Sequence, residues 1–208
     1  MTHTLRSAEP ADILGVVSVH LSSFQGFFLT FLGPRFLTEL YSAIQEDPSG
    51  IALVTQSEKG SLSGFVFGTT QPTGLYRHLL KRRWWRFGWA ALPAFLRSPS
   101  ILRRLIRAFS MPGQELPAEH CGTLMSIAVD PNAQGQGIGK ALVRAFLREA
   151  KKRGLQTVNL TTDAVNNDST NAFYRSQGFV LHQTYSTPEG RPMNEYLFRL
   201  AELDETPA

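Results

Sequence analysis

The sequence predicts a mixed α/β domain, on three observations. Short apolar runs with strand character recur at 51–56, 62–68, 124–129, 155–161, 180–185 and 195–200. Between several of them, apolar residues return at helical spacing. A glycine-rich segment, Gly135-Gln136-Gly137-Ile138-Gly139, lies where one such strand gives way to one such helix. A length of 208 residues suits a single domain, 1–208, whose core needs no disulfide. No internal repeat and no second core is visible.

Thr4-Leu5-Arg6 can open the sheet. Glu9-Pro10-Ala11-Asp12 reads as a helix start, with proline and carboxylates in the first turn. Ile13, Val16, Val17, His20, Leu21 and Phe24 then share one face, and His20 on that stripe reads as a packed side chain. A connector rich in aromatics, Phe24 to Pro34, is too apolar for an ordinary exposed loop. The next helix turns Phe36, Leu37, Leu40, Tyr41 and Ile44 inward. Strands at 51–56 and 62–68, separated by Ser57-Glu58-Lys59-Gly60, make a hairpin.

Residues 73–114 carry Leu75, Leu79, Trp84, Trp85, Trp89, Leu102, Leu105 and Phe109 in short amphipathic patterns broken near Pro93 and Pro99. All three tryptophans and nine of the 21 basic residues lie here, with no acidic residue. The rest of the chain holds twelve basic against seventeen acidic residues, so the formal net charge of +4 is a local property. The simplest reading is a helical flank packed by its apolar stripe with a solvated basic face. An anionic substrate or carrier, or an anionic membrane surface, is also open. Nucleic acid fits least, because the basic residues accompany helix-core apolars rather than stacking aromatics.

Beyond the insertion, Leu124 to Val129 reads as a buried strand, and Ile138, Ala141, Leu142, Ala145 and Phe146 recur as a helix. The turn amides and the first helical amides lack intrahelical acceptors and sit at the positive end of the helix dipole. Such a loop suits a phosphate. A dinucleotide fingerprint begun at Gly135 would need glycine at 140, where Lys140 stands. A Walker loop ending at Gly139-Lys140 would need Ser or Thr at 141, where Ala141 stands. A purely structural turn stays open at this point.

The segment Gln134-x-x-Gly137-x-Gly139 resembles the acyl-CoA loop of the GNAT superfamily of N-acetyltransferases. Asn167-Asp168-Ser169-Thr170-Asn171-Ala172-Phe173-Tyr174, ending at Gly178-Phe179, resembles a second family segment, with Thr170 where a small alanine is usual. The strand at 155–161 lies between them. The resemblance is specific over about 120–180 and silent on the insertion.

The resemblance implies a strongly twisted mixed sheet flanked by helices, with the basic insertion between the third and fourth strands. The strands at 122–129 and 155–162 would splay, leaving ladder groups of Ile127, Ala128 and Val129 to pair with the pantetheine arm of acetyl-CoA. Amides of Gln134, Gly135, Gln136, Gly137, Ile138, Gly139 and Lys140 would receive its pyrophosphate, while Asn167 and Phe173 would line the arm. Asn167 also reads as a helix cap. Tyr174 would protonate the departing thiolate, and its alternative is a core tyrosine. Phe27, Phe28, Phe31 and Tyr41 are candidate acceptor-pocket residues, with core packing as the alternative.

The implied reaction is acetyl transfer to a primary amine of a small molecule, an aminosugar or nucleotide-linked aminosugar being favoured by the basic insertion. A protein or peptide amine is the rival acceptor, and a non-catalytic acyl-CoA-binding module is the rival of another class. For the general base, Glu115, Glu119, His120, His182 and Glu195 stand level. The five histidines show no ligand spacing with one another or with Cys121, so no metal is implied. Cys121, the single cysteine, reads as a small apolar residue entering a strand. That cysteine usage and a start without an apolar leader lead to the expectation of a cytoplasmic protein. The acidic tail, 201–208, is expected to fray.

Overall fold

The computed structural model describes residues 3–24, 28–58, 60–72, 87–89 and 120–203. Seven strands form one sheet: β1 (His3–Ser7), β2 (Gly50–Ser57), β3 (Leu62–Thr69), β4 (Cys121–Val129), β5 (Thr157–Asp163), β6 (Val180–Ser186) and β7 (Pro192–Arg199). Their spatial order is β1-β2-β3-β4-β5-β7-β6. All neighbouring pairs are antiparallel except β4 and β5, which run parallel.

The first helix enters through a 3-10 turn, Pro10–Asp12, in which Asp12 accepts from the Glu9 amide at 2.8 Å and pairs with Arg6 at 2.6 Å. Proline suits the first position because its missing N–H would have no partner there. α1 (Ile13–Ser23), α2 (Phe28–Leu32) and α3 (Pro34–Glu46) follow. α2 is a turn of helix inside the aromatic connector, too short to announce itself by periodicity. Val16, Val17, Phe36, Leu37 and Ile44 pack with Val54, Phe65 and Phe67 on one face of the sheet.

On the other face, α4 (Ile138–Lys152) buries Leu142, Val143, Phe146 and Leu147 against Val66, Leu124, Val158 and Leu160. Lys151 and Lys152 close its last turn, where cations oppose the negative end of the dipole. α5 (Asp168–Ser176) joins the same layer through Tyr174, beside Phe179 and Phe198. The sheet therefore separates two apolar layers, and groups on opposite faces meet only where strands part.

Most of the basic insertion, 73–114, lies outside the described residues. Within 87–89, Phe87 is buried against Phe36, with ring centroids 5.5 Å apart, and Trp89 is exposed. The tail departs from the expectation of fraying from Ala201: Leu200–Glu202 form a 3-10 turn, and Leu203 is buried in the second layer. A single well-placed leucine is enough to hold those residues; 204–208 lie outside the described set. No helix among the described residues is long and apolar enough to cross a membrane.

Candidate active site between the parted strands

β4 and β5 pair over three positions only, Cys121 with Thr157, Gly122 with Val158 and Thr123 with Asn159. Beyond Thr123, β4 continues to Val129 along β3, and β5 continues to Asp163 along β7. Two parallel strands that stop pairing leave inward-facing backbone groups without ladder partners. Asp130 donates its N–H to the Ser63 carbonyl of the neighbouring chain segment at 2.9 Å. By strand alternation, Ala128 also turns its amide to β3, whereas Ile127 and Val129 turn theirs into the gap. The Val129 carbonyl is reached there by the Ser23 hydroxyl at 3.2 Å and by Gln134 Nε2 at 3.5 Å.

The glycine loop sits at the mouth of this gap. Asp130 shapes its entry, accepting from the Asn132 amide at 2.8 Å and capping the 3-10 turn Pro131–Ala133. Gly135 and Gly137 both have φ of +78°, a region in which a side chain is strained. A Cβ on either would meet nothing within 4 Å, so the glycines are required by backbone conformation and border open space. Gly137 is the N-cap of α4, and the first intrahelical bond runs from the Ala141 amide to its carbonyl at 3.0 Å. The amides of Ile138, Gly139 and Lys140 therefore precede any intrahelical acceptor. Gln134, Gly135, Gln136, Gly137 and Lys140 are exposed, while Gln136 is steadied by His3 at 3.0 Å. An anion at this mouth would meet the N–H groups of the first helical turn, with no Cβ at Gly135, Gly137 or Gly139 to hold it off.

Across the gap, Gly139 lies within ordinary contact distance of Phe173, 3.5 Å from a built Cβ to Cζ. Tyr174 is 6% exposed and packs edge-on to Phe173 and Phe179. Burial pushes its phenol well above the ordinary value of 10.0, so it keeps its proton at any physiological pH. Asn167 occupies the N-cap of α5 without capping it through its side chain, which reaches the Asp163 carbonyl at 3.5 Å. The firmer tie is Asn171, which donates to the same carbonyl at 3.0 Å and accepts from Thr162 at 2.6 Å.

The other candidates separate. Tyr41 is a core residue, 1% exposed, with its hydroxyl bonded to His20 Nδ1 at 2.7 Å and to the Ser126 hydroxyl at 3.0 Å. Phe31 is exposed on α2, Phe27 lies outside the described residues, and only the backbone of Phe28 is described. Burial lowers His20 to about 4, and its Nε2 is buried without a hydrogen-bond partner among the described residues. Cys121 is buried, and desolvation raises its thiol, the opposite of what a nucleophilic cysteine needs. His120 turns into β4 with φ of +72°, its carbonyl accepting from Gln156 at 2.9 Å; Glu115 and Glu119 lie outside the described residues.

A polar chain that the sequence reading did not assemble crosses four strands beside the gap. The Thr123 hydroxyl donates to Asn159 Oδ1 at 2.5 Å, Asn159 Nδ2 donates to Glu195 Oε1 at 2.9 Å, and Gln183 Nε2 donates to Glu195 Oε2 at 2.7 Å. The available signal was Asn159 itself, a polar residue between Val158 and Leu160 in an otherwise apolar strand centre.

The model of the Acetyltransferase (GNAT) family matches residues 21–179. A probable acetyltransferase of Glycine max, TAP2, is 28% identical over 170 residues, covering 72% of this chain and 65% of that protein. The [ribosomal protein bS18]-alanine N-acetyltransferase of Escherichia coli K12 is 41% identical over 73 residues, covering 33% of this chain and 49% of the relative. A mycothiol acetyltransferase of Cellulomonas flavigena is 42% identical over 73 residues, 33% of this chain and 21% of its own length. The chain thus spans less than two thirds of each of these relatives. Among solved structures, the S18-alanine N-acetyltransferase from Escherichia coli superposes with a TM-score of 0.60 at 19% identity, covering 100% of this chain and 99% of that one. Ard1 from Thermoplasma volcanium superposes with a TM-score of 0.61 at 17% identity, covering 96% and 98%. At these identities the superpositions speak for the fold, and the match of the family model over more than half of the chain speaks for descent: the protein belongs to the GNAT family of acetyltransferases.

Proposed function

We propose that the protein transfers an acetyl group from acetyl-CoA to a primary amine, both substrates being bound together in the gap between β4 and β5. The observation that carries this reading is the three-pair parallel ladder, which ends at Thr123 and Asn159 with the glycine loop at the mouth of the opening. The pyrophosphate rests on the amides of residues 134–140. The pantetheine arm pairs with Ile127 and Val129 as an added strand would, with Asn167 and Phe173 on its far side. This brings the thioester to the point where the strands part.

The amine nitrogen attacks the thioester carbonyl carbon, and a backbone amide near Val129 receives the developing oxyanion. As the carbon–sulfur bond breaks, the Tyr174 hydroxyl gives its proton to the sulfur. Its raised pKa keeps that proton available. Holding two reactants in one opening offsets several kcal/mol of the barrier.

The acceptor in the first reading is a small-molecule amine. The similarity to an enzyme named for the alanine of ribosomal protein bS18 favours a peptide α-amine as the second. Calorimetry with acetyl-CoA on the wild-type chain and on Gly137→Glu tests the shared part of both. Micromolar binding that disappears in the variant supports the site, and absence of binding to folded wild type removes it. Turnover of an alanyl peptide against a panel of small amines then separates the acceptors.

A further inference from the structure

Glu195 is 5% exposed, yet no lysine or arginine pairs with it among the described residues. Its two oxygens each accept one amide N–H, from Asn159 and from Gln183. Neutral amides orient a carboxylate without cancelling its charge, and a buried unpaired charge is costly. A carboxylate offers about four acceptor positions, so roughly half of that capacity is unused. Cys121 and Tyr185 are titratable neighbours that feel its charge; burial raises both and keeps them neutral, and a thiol or a phenol carries no positive charge in either form.

The location gives this charge a direction. Glu195 lies opposite Thr161 in the β5–β7 ladder, two residues past Asn159, in the stretch where β5 has already left β4. Thr161, its partner in the ladder, is exposed, so solvent reaches this sheet face one strand away from the buried Glu195 side chain. The neighbouring pair, Leu160 and Tyr196, points to the opposite face, where it shares an apolar layer with Tyr174. Strand alternation therefore puts the Glu195 side chain and Tyr174 on opposite faces of the sheet.

We propose that Glu195 is the acceptor-recognition carboxylate: it binds the acceptor amine as its ammonium and takes one proton from it as the nitrogen becomes the nucleophile. The inference rests on the acetyl-transfer reading above and specifies its acceptor. The balance is simple. The ammonium gives one proton to Glu195, and the neutral amine forms the carbon–nitrogen bond. The carbon–sulfur bond breaks with Tyr174 protonating the thiolate, and the second proton lost by nitrogen restores the phenol. One proton in total leaves through Glu195. The acceptor class is then an aliphatic amine that is cationic at neutral pH, including peptide α-amines. Alcohols, thiols and arylamines arrive uncharged and forgo this contact.

The test uses the full chain labelled with carbon-13 at glutamate carboxyl carbons, saturated with free CoA, and titrated with ethylammonium chloride. Ethanol serves as the uncharged probe of similar size. One carboxyl resonance is expected to shift saturably with ethylammonium and not with ethanol, and that resonance is expected to be missing from Glu195→Gln. Glu195→Gln is expected to bind acetyl-CoA as wild type does, which also reports an intact fold. Should that variant not fold, Gln183→Met keeps the charge, removes one donor and is expected to move the same resonance. Ethylammonium that leaves every glutamate resonance of the CoA-bound protein unmoved, or that moves one which persists in Glu195→Gln, overturns the inference and leaves acetyl transfer standing. Failure to bind CoA overturns both, because the carboxylate would then face no thioester.

Discussion

Thr123 and Asn159 are the last residues paired across the parallel strands, and they also close a side-chain hydrogen bond of 2.5 Å. The backbone ladder ends where the polar chain to Glu195 begins. Thr123→Val keeps the shape and removes the donor, leaving the Asn159 amide oxygen short of a partner. The expected loss is about 1–2 kcal/mol, or roughly 2–8 °C in Tm for a chain of this size. Thermal unfolding measures it, and an unchanged Tm would show that the bond contributes nothing net.

Gly137 and Gly154 form a matched pair, with φ of +78° and +80° and nothing within 4 Å of a built Cβ. Alanine at either position costs about 1–2 kcal/mol in backbone strain. Only Gly137 borders the expected pyrophosphate. Gly137→Ala should therefore weaken acetyl-CoA binding as well as stability, and Gly154→Ala stability alone. Equal acetyl-CoA affinities in the two variants would count against the loop as the binding site.

Tyr174→Phe removes one oxygen from a ring already packed between Phe173 and Phe179. We expect kcat to fall about a hundred-fold to ten-thousand-fold with little change in acetyl-CoA affinity. A linked effect appears in stability. The folded phenol holds its proton above the unfolded value of 10.0, so from about pH 10 upward the unfolded chain ionises first and stability falls as pH rises. Urea unfolding at about pH 9 and 11 should show a smaller alkaline loss in Tyr174→Phe than in wild type.

His20 runs in the acid direction. Its folded pKa is lowered from 6.5 to about 4 by burial, so the associated stability is complete above 6.5 and is lost as pH falls toward 4. The full effect is on the order of 3 kcal/mol. His20→Gln should flatten the dependence of the urea midpoint between about pH 7 and 5, while losing some stability at neutral pH through the Tyr41 hydroxyl. A slope identical to that of wild type would place the acid-sensitive group elsewhere.

Much of this chain was legible because its signals are local. The β2–β3 hairpin, the inward stripes of α1 and α3 and the glycine loop before α4 each announce themselves within about a dozen residues, through period and turn chemistry, whereas the segment carrying Tyr174 was legible through its resemblance to a family motif. α2 escaped because five residues are too few to show a period. Leu203 escaped because composition made 201–208 look like solvent-exposed tail, while a single apolar side chain found the second layer. Tyr41 and Phe31 looked alike in sequence, as aromatics near a candidate pocket, and the structure sends one to the core and the other to the surface.

By itself, the sequence determined the order of the strands and of the longer helices α1, α3 and α4, and the glycines of the loop; the segment that carries Tyr174 was read through its family resemblance. Only the tertiary structure decided where β4 and β5 part, which side chains meet there, and that Glu195, level with other candidates in sequence, is the one held between two amides beside the opening. Asn159 is 36 residues from each of its partners, Thr123 and Glu195. Local propensity reads a few residues at a time, whereas the pairing of buried charge and the facing of strands are settled by which distant segments share a sheet.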